Sequence, residues 1–166
     1  RDSFGERFFE GFEGDKGLGF ADQAISLEQI ITNWPLIKDK AKWIVIGTIP
    51  LASEISSNAF LWCVENAFHE GIKIALDLNW RPTFWRNEVS IDPEPSIKER
   101  NEIISIAKKV SLIKLAKEEA QFFFNTSNPV KISSSLPNRP SVIVTDGSNP
   151  VLWLINNHFG KSFAIV

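Results

Sequence analysis

The 166-residue chain has no methionine and a single cysteine, Cys63. One thiol excludes an internal disulfide framework and fits a reducing, cytoplasmic setting. Neither charge sign is in excess, with 18 basic side chains against 20 acidic ones, so the basic stripe of a nucleic-acid binder is missing. No apolar run approaches the roughly 20 residues of a membrane-spanning helix, and the first residues carry no signal-peptide pattern. Two histidines, His69 and His158, stand far apart, which with one cysteine argues against a zinc site. The short motifs G-x-x-x-x-G-K-[ST], G-x-G-x-x-G and G-x-S-x-G are absent. The missing initiator and a strand-like run over residues 162–166 lead us to expect a chain incomplete at both ends.

What is present reads as alternating strands and helices. Residues 4–12 combine Phe4, Phe8, Phe9 and Phe12 with Gly5 and Gly11 and read as an extended segment, followed by a glycine-marked loop. Residues 20–32 place Ala24, Leu27, Ile30 and Ile31 at helical spacing. The continuous apolar run at 43–49 has the pattern of a strand covered on both faces, ended by Pro50. Ser53 is a candidate cap for a helix that sets Phe60, Cys63, Val64, Ala67 and Phe68 on one face and closes at Gly71. Further strands are expected at 72–79, 111–116 and 141–145, and helices at about 97–109 and 117–124, with one short helix in the loop-rich stretch 127–140. Residues 151–155 and 159–166 read as a hairpin around Asn156-Asn157-His158. The order β-α-β-α-β-α-β predicts an α/β fold, a mostly parallel sheet with helices on both faces.

Chemistry concentrates where strands finish, the edge at which open α/β sheets hold ligands. Asp77, Asn79 and Arg81 follow the apolar residues 72–76, and strand alternation through to Pro82 would set all three on one face. Arg81 has the geometry to fork onto a phosphate or carboxylate, with Asn79 beside it; equally, it can pair with Asp77 or loop acids and pin the loop. Glu119, in Lys114-Leu115-Ala116-Lys117-Glu118-Glu119, reads either as a ligand of hydrated magnesium or as part of a dipole-favoured helix start. Thr145-Asp146-Gly147 either lets backbone approach a ligand or forms an ordinary tight turn. Arg7 with Phe8 and Phe9 reads as a substrate-covering element or as a hydrophobic edge strand. Trp80, Phe84 and Trp85 are expected to pack the loop onto the sheet.

Taken together, these segments resemble one family. Residues 77–85, Asp-Leu-Asn-Trp-Arg-Pro-Thr-Phe-Trp, resemble the D-x-N-x-R-x-x-x-W segment of the ribokinase/PfkB sugar kinases, fructokinases above all. Residues 114–119 look like that family's K-x-[NS]-x-x-E, Val144-Thr145-Asp146-Gly147 like its V-T-x-G turn, and Gly5-Glu6-Arg7 with Phe8 or Phe9 like its G-x-R-x-F strand. Their order and spacing agree along nearly the whole chain.

The resemblance implies a three-layer α/β/α sandwich, with residues 1–20 as a lid-side strand and loop and residues 21–166 as the α/β core of a partial kinase domain. It implies ATP and Mg2+ as cofactors and fructose or a related hexose as substrate, with neither nucleic acid nor membrane as partner and a homodimer pairing through lid strands. By the same resemblance Asn79, Arg81 and Arg7 would contact sugar and phosphate. Lys114, Thr145 and Gly147 would contact the nucleotide, and Glu119 would act on the metal through water. The family's G-A-G-D segment, which supplies an anion hole and the catalytic aspartate, is absent and is expected beyond Val166, so the fragment alone is expected to be inactive. Ala116 stands where Asn or Ser is usual, and Pro150 where a second glycine is common. Two competing expectations are a non-catalytic binding or structural protein derived from the kinase fold and a generic Rossmann-like ligand-binding domain. The missing glycine fingerprint argues against the last.

Overall fold

Four apolar runs become parallel strands, β1 (Trp43–Gly47), β2 (Lys73–Asp77), β3 (Leu112–Ala116) and β4 (Ser141–Asp146), lying side by side in chain order. β5 (Asn149–Ile155) and β6 (His158–Ser162) extend the sheet antiparallel. The structure, a computed structural model, describes residues 21–85 and 94–163. The expected lid-side segment with Arg7, the lid pairing between copies, residues 86–93 and residues 164–166 lie outside the described residues. The helices are α1 (Leu27–Lys40), α2 (Glu54–His69), α3 (Pro82–Trp85), α4 (Ile97–Ala107), α5 (Lys117–Phe124) and α6 (Pro129–Ser135). No helix among the described residues is long and apolar enough to cross a membrane.

Register explains where the core sits. Pairing sets Ile46, Leu76, Ile113, Val142 and Leu154 in one row across the sheet, and Leu115, Val144 and Leu152 in the next. Ile74, Leu76, Ile113, Leu115, Val142 and Val144 are fully buried, each contributing about 1.5–3 kcal/mol relative to exposure. Parallel strands that advance in one direction through right-handed crossovers send their helices to the same face, and the buried rows mark that face. The alternate positions are half-exposed or exposed. The described residues therefore comprise the sheet and one helical layer. The expected α/β fold with a mostly parallel sheet is found.

Two local expectations are corrected. The strand at Trp43–Gly47 is not covered on both faces; it lies at the sheet edge among the described residues, with Val45 78% exposed. The helix expected at 20–32 instead begins after Ser26, whose hydroxyl and Gln29 form a reciprocal capping box, and runs on to Lys40 through Pro35. Tertiary packing overrides the helix breaker. Trp34 is buried, meets Trp62 edge-on at 5.3 Å, and donates from Nε1 to Glu70 at 3.1 Å.

The hairpin turn at the far edge follows local chemistry. Asn156 and Asn157 have φ of 49° and 64°, the left-handed pair that a two-residue turn between twisted strands needs.

Pro35 removes one helical hydrogen bond and crowds the preceding turn. Pro35→Ala is expected to stabilise the protein by about 1–3 kcal/mol, read as a higher urea midpoint with an unchanged slope.

Candidate functional site

At the carboxyl end of β2 the chain leaves the sheet sooner than alternation suggests. The strand ends at Asp77, and Asn79 takes φ 44°, a left-handed conformation. Leu78 and Trp80 turn into the core, 0% and 4% exposed. Asp77, Asn79 and Arg81 are thus not three residues on one strand face; a left-handed asparagine breaks the period of two. Pro82 does not stop the strand but opens the short helix α3. Trp80 packs edge-on against Phe123 at 5.8 Å and lies 5.3 Å from Trp85, so these two tryptophans do pack the loop onto the fold.

Three polar contacts hold this loop. The Leu78 N–H donates to the Lys114 carbonyl at 2.9 Å, and the fully buried Thr48 hydroxyl, just after β1, donates to the Leu78 carbonyl. The third contact comes from Glu119 in the first turn of α5. Its Oε1 accepts the Trp80 N–H at 2.7 Å, and its Oε2 accepts the Ala116 N–H at 2.7 Å. Ala116 occupies the N-cap position but has no side-chain acceptor, so only the returning half of a capping box forms here. Glu119 is 6% exposed. Burial pushes its carboxyl above its ordinary value of 4.5, while the two backbone donors, then Lys114 and Arg81, pull the other way.

Charged groups line the rest of this edge. Lys114 Nζ meets Asp77 Oδ1 at 3.0 Å, and Lys117 Nζ meets Asp146 Oδ2 at 2.9 Å. The hydrogen bond and charge of Asp146 hold the Lys117 pKa above its ordinary 10.5. Arg81 does not pair with Asp77. One guanidinium nitrogen donates to the Trp80 carbonyl at 2.8 Å and lies 3.9 Å from Glu119, and the side chain is 51% exposed.

The structure therefore brings Asn79, Arg81, Lys114 and Glu119 together across the ends of β2 and β3, and the Lys117–Asp146 pair ties that group to the end of β4. Thr145 sits at a register shift between Val144 and Asp146. Such bulges re-aim side chains beside functional sites. Gly147, φ 53°, is the first residue of a two-residue turn into β5, so the glycine serves a tight hairpin turn. Thr48 and Lys117 went unnoticed in the sequence as functional positions. For Thr48 the signal was a hydroxyl directly after an apolar run; for Lys117, its place inside residues 114–119.

Among the described residues no group of three His, Cys, Asp or Glu side chains is arranged to cage a metal ion. The Glu119 oxygens each already hold a backbone N–H, which leaves roughly two of four lone-pair sites for water. This donor set fits a magnesium ion held through water and phosphate oxygens rather than by a protein cage.

Two predictions follow from the Glu119 contacts. Glutamine offers one acceptor where the carboxylate offers two, so Glu119→Gln is expected to cost about 1–3 kcal/mol in urea unfolding. A carboxyl raised in the folded state binds more protons folded than unfolded just above pH 4.5, so wild-type stability falls as pH rises through that window. The gap between wild type and Glu119→Gln should narrow accordingly as pH rises. At the uncapped start of α5, Ala116→Ser is expected to add about 1 kcal/mol, seen as a raised Tm.

No protein-family model matches the chain, and no curated protein sequence does. Solved structures do. A PfkB protein from Polaromonas sp. JS666 is 16% identical with a TM-score of 0.69, over 87% of this chain and 46% of its own. The fructokinase of Xylella fastidiosa with bound ATP is 18% identical with a TM-score of 0.65, over 84% of this chain and 42% of its own. Aminoimidazole riboside kinase of Salmonella enterica, complexed with aminoimidazole riboside and an ATP analogue, is 18% identical with a TM-score of 0.56, over 75% and 40%. The chain thus spans less than half the length of these kinases. With that likeness, the described residues have the fold of part of these kinases, a mostly parallel sheet with its helices.

Proposed function

We propose that this chain is the central portion of an ATP-dependent sugar kinase, fructokinase-like in the parent protein. The observation that carries this reading is the joining of the β2 and β3 strand-end loops by buried Glu119, which leaves Arg81 half-exposed beside Lys114. A pinned, cation-bearing edge suits a reaction whose catalysis is mostly positioning and charge neutralisation. Arg81 would fork onto a phosphate, with Asn79 and, from outside the described residues, Arg7 toward the sugar. Lys114 would neutralise nucleotide charge, and Thr145 and Gly147 would lie against the nucleotide. A magnesium ion would supply charge neutralisation at the phosphates, and Glu119 would orient its water. A single free cysteine, the half-buried Cys63, suits a reducing, cytoplasmic setting.

The 166 residues contain no G-A-G-D segment and hence neither of its two contributions, an anion hole and an aspartate base. The chain by itself is therefore proposed to bind without turnover. A second reading, a non-catalytic binding protein built on the kinase fold, draws on the same edge. Lys114 and Lys117 are already paired with Asp77 and Asp146, and Ala116 leaves the N-cap of α5 without a side-chain acceptor.

Calorimetric titration with ATP and magnesium tests the kinase reading. The kinase reading expects binding by the chain, weakened about tenfold or more in Arg81→Ala and Lys114→Ala, and no sugar phosphorylation by the 166 residues. Absence of ATP binding sinks the kinase reading. Turnover by the chain alone sinks the claim that catalysis needs the absent segment.

A further inference from the structure

The parallel strands also have an amino-terminal edge, and it holds a cavity of about 460 Å3. Ser111 and Ser141, at the starts of β3 and β4, line it together with Asn156 and Asn157 of the β5–β6 turn. Because β5 runs antiparallel to β4, this turn falls at the end opposite Asp77, Glu119 and Asp146. The cavity is therefore separate from the site described above. Its volume is within the range of small-molecule sites, and apolar Leu154 contributes to its lining beside the polar groups.

Arg139 sets the character of this cavity. Exposed at the cavity's mouth, it is the one charged residue among the described residues of the lining, which include no aspartate or glutamate. Among the described residues it has no ion-pair partner. Its φ is 44°, a left-handed conformation that glycine adopts freely and that burdens a residue with a β-carbon. A turn needing only that backbone shape is better served by glycine or asparagine. Strained backbone positions cluster at ligand sites, and this one presents a guanidinium to the cavity.

We propose that this cavity is a second, anion-selective site that takes a phosphorylated, sugar-sized metabolite. The planar fork of Arg139 receives the phosphate, and the asparagine amides and serine hydroxyls receive the hydroxyl groups of the sugar. The site stands independently of the kinase reading, since none of its residues belongs to the carboxyl edge.

Calorimetric titration of the 166-residue chain with glucose 6-phosphate, with glucose and inorganic phosphate as comparison probes, tests this. The expected result is binding of glucose 6-phosphate, weaker binding of phosphate and none of glucose. Arg139→Gly relieves the left-handed backbone and so keeps the fold, and it should abolish the binding. Asn157→Asp retains a residue tolerated at φ 64° while adding a carboxylate to the wall, and it should weaken binding about tenfold. Arg81→Ala, at the other edge, should leave it unchanged. The proposal is overturned if the chain binds no phosphorylated probe, if Arg139→Gly and Asn157→Asp bind as wild type does, or if Arg81→Ala removes the binding.

Discussion

One buried carboxylate joins the strand ends that make the candidate site. Glu119 accepts the N–H of Trp80 from the loop after β2 and the N–H of Ala116 at the end of β3. A charge taken out of water is tolerated only when its hydrogen bonds are complete, so these two loops cannot separate without exposing an unsatisfied acid or an unsatisfied N–H. Thr48 closes the arrangement from the β1 side by holding the Leu78 carbonyl. Leu78 and Trp80 are pressed into the core by the same turn that leaves Asn79 and Arg81 at its rim. Packing of the apolar residues and presentation of the polar ones are one event.

The charges around this clamp obey a different rule. Asp77–Lys114 and Lys117–Asp146 are partly exposed pairs, and such pairs contribute at most about 1 kcal/mol. They keep an edge with several cations from repelling itself, yet hold it loosely. Under the proposed function, a phosphate entering there would compete with single carboxylates that water already solvates, whereas the buried Glu119 contacts would have no such competitor. Rigid positioning thus comes from neutral backbone donors on a buried acid, and adaptable charge comes from side chains that remain in solvent.

Much of this was legible in the sequence because it depends on local pattern. The apolar runs of β2, β3 and β4, the bounds of α5 and the Asn156-Asn157 turn each follow from residues close in the chain. The failures came where distant contacts decide. The sequence pattern ends the first helix at residue 32, and only Trp34 against Trp62 and Glu70 shows why α1 continues through Pro35 to Lys40. Asp77, Asn79 and Arg81 read as alternating strand residues, but the strand ends at Asp77 and Asn79 is left-handed between the buried Leu78 and Trp80. The run at Trp43–Gly47 reads as doubly covered because apolar content records the residues and not their neighbours. Glu119 stands out in the sequence as a position, but its backbone partners do not, since Trp80 lies 39 residues away.

Topology explains how so small a set of residues becomes a site at all. Strands that stay parallel and lie in chain order deliver every carboxyl end to one edge, so β2, β3 and β4 need only finish in register for their loops to meet. The sheet asks for alternating apolar residues and tolerates many choices among them, which is why the fold persists at 16–18% identity. The loops have less freedom. A left-handed residue must stand at 79, an acid of Glu length at 119 and an arginine at 81 for the present contacts to form. Ala116 shows the boundary between the two regimes: its N–H is used by Glu119 whatever its side chain, so the helix start survives the loss of a cap while any ligand contact from that side chain would not. The contacts of this edge therefore rest on a few strand-end positions, and the scaffold fixes where they stand.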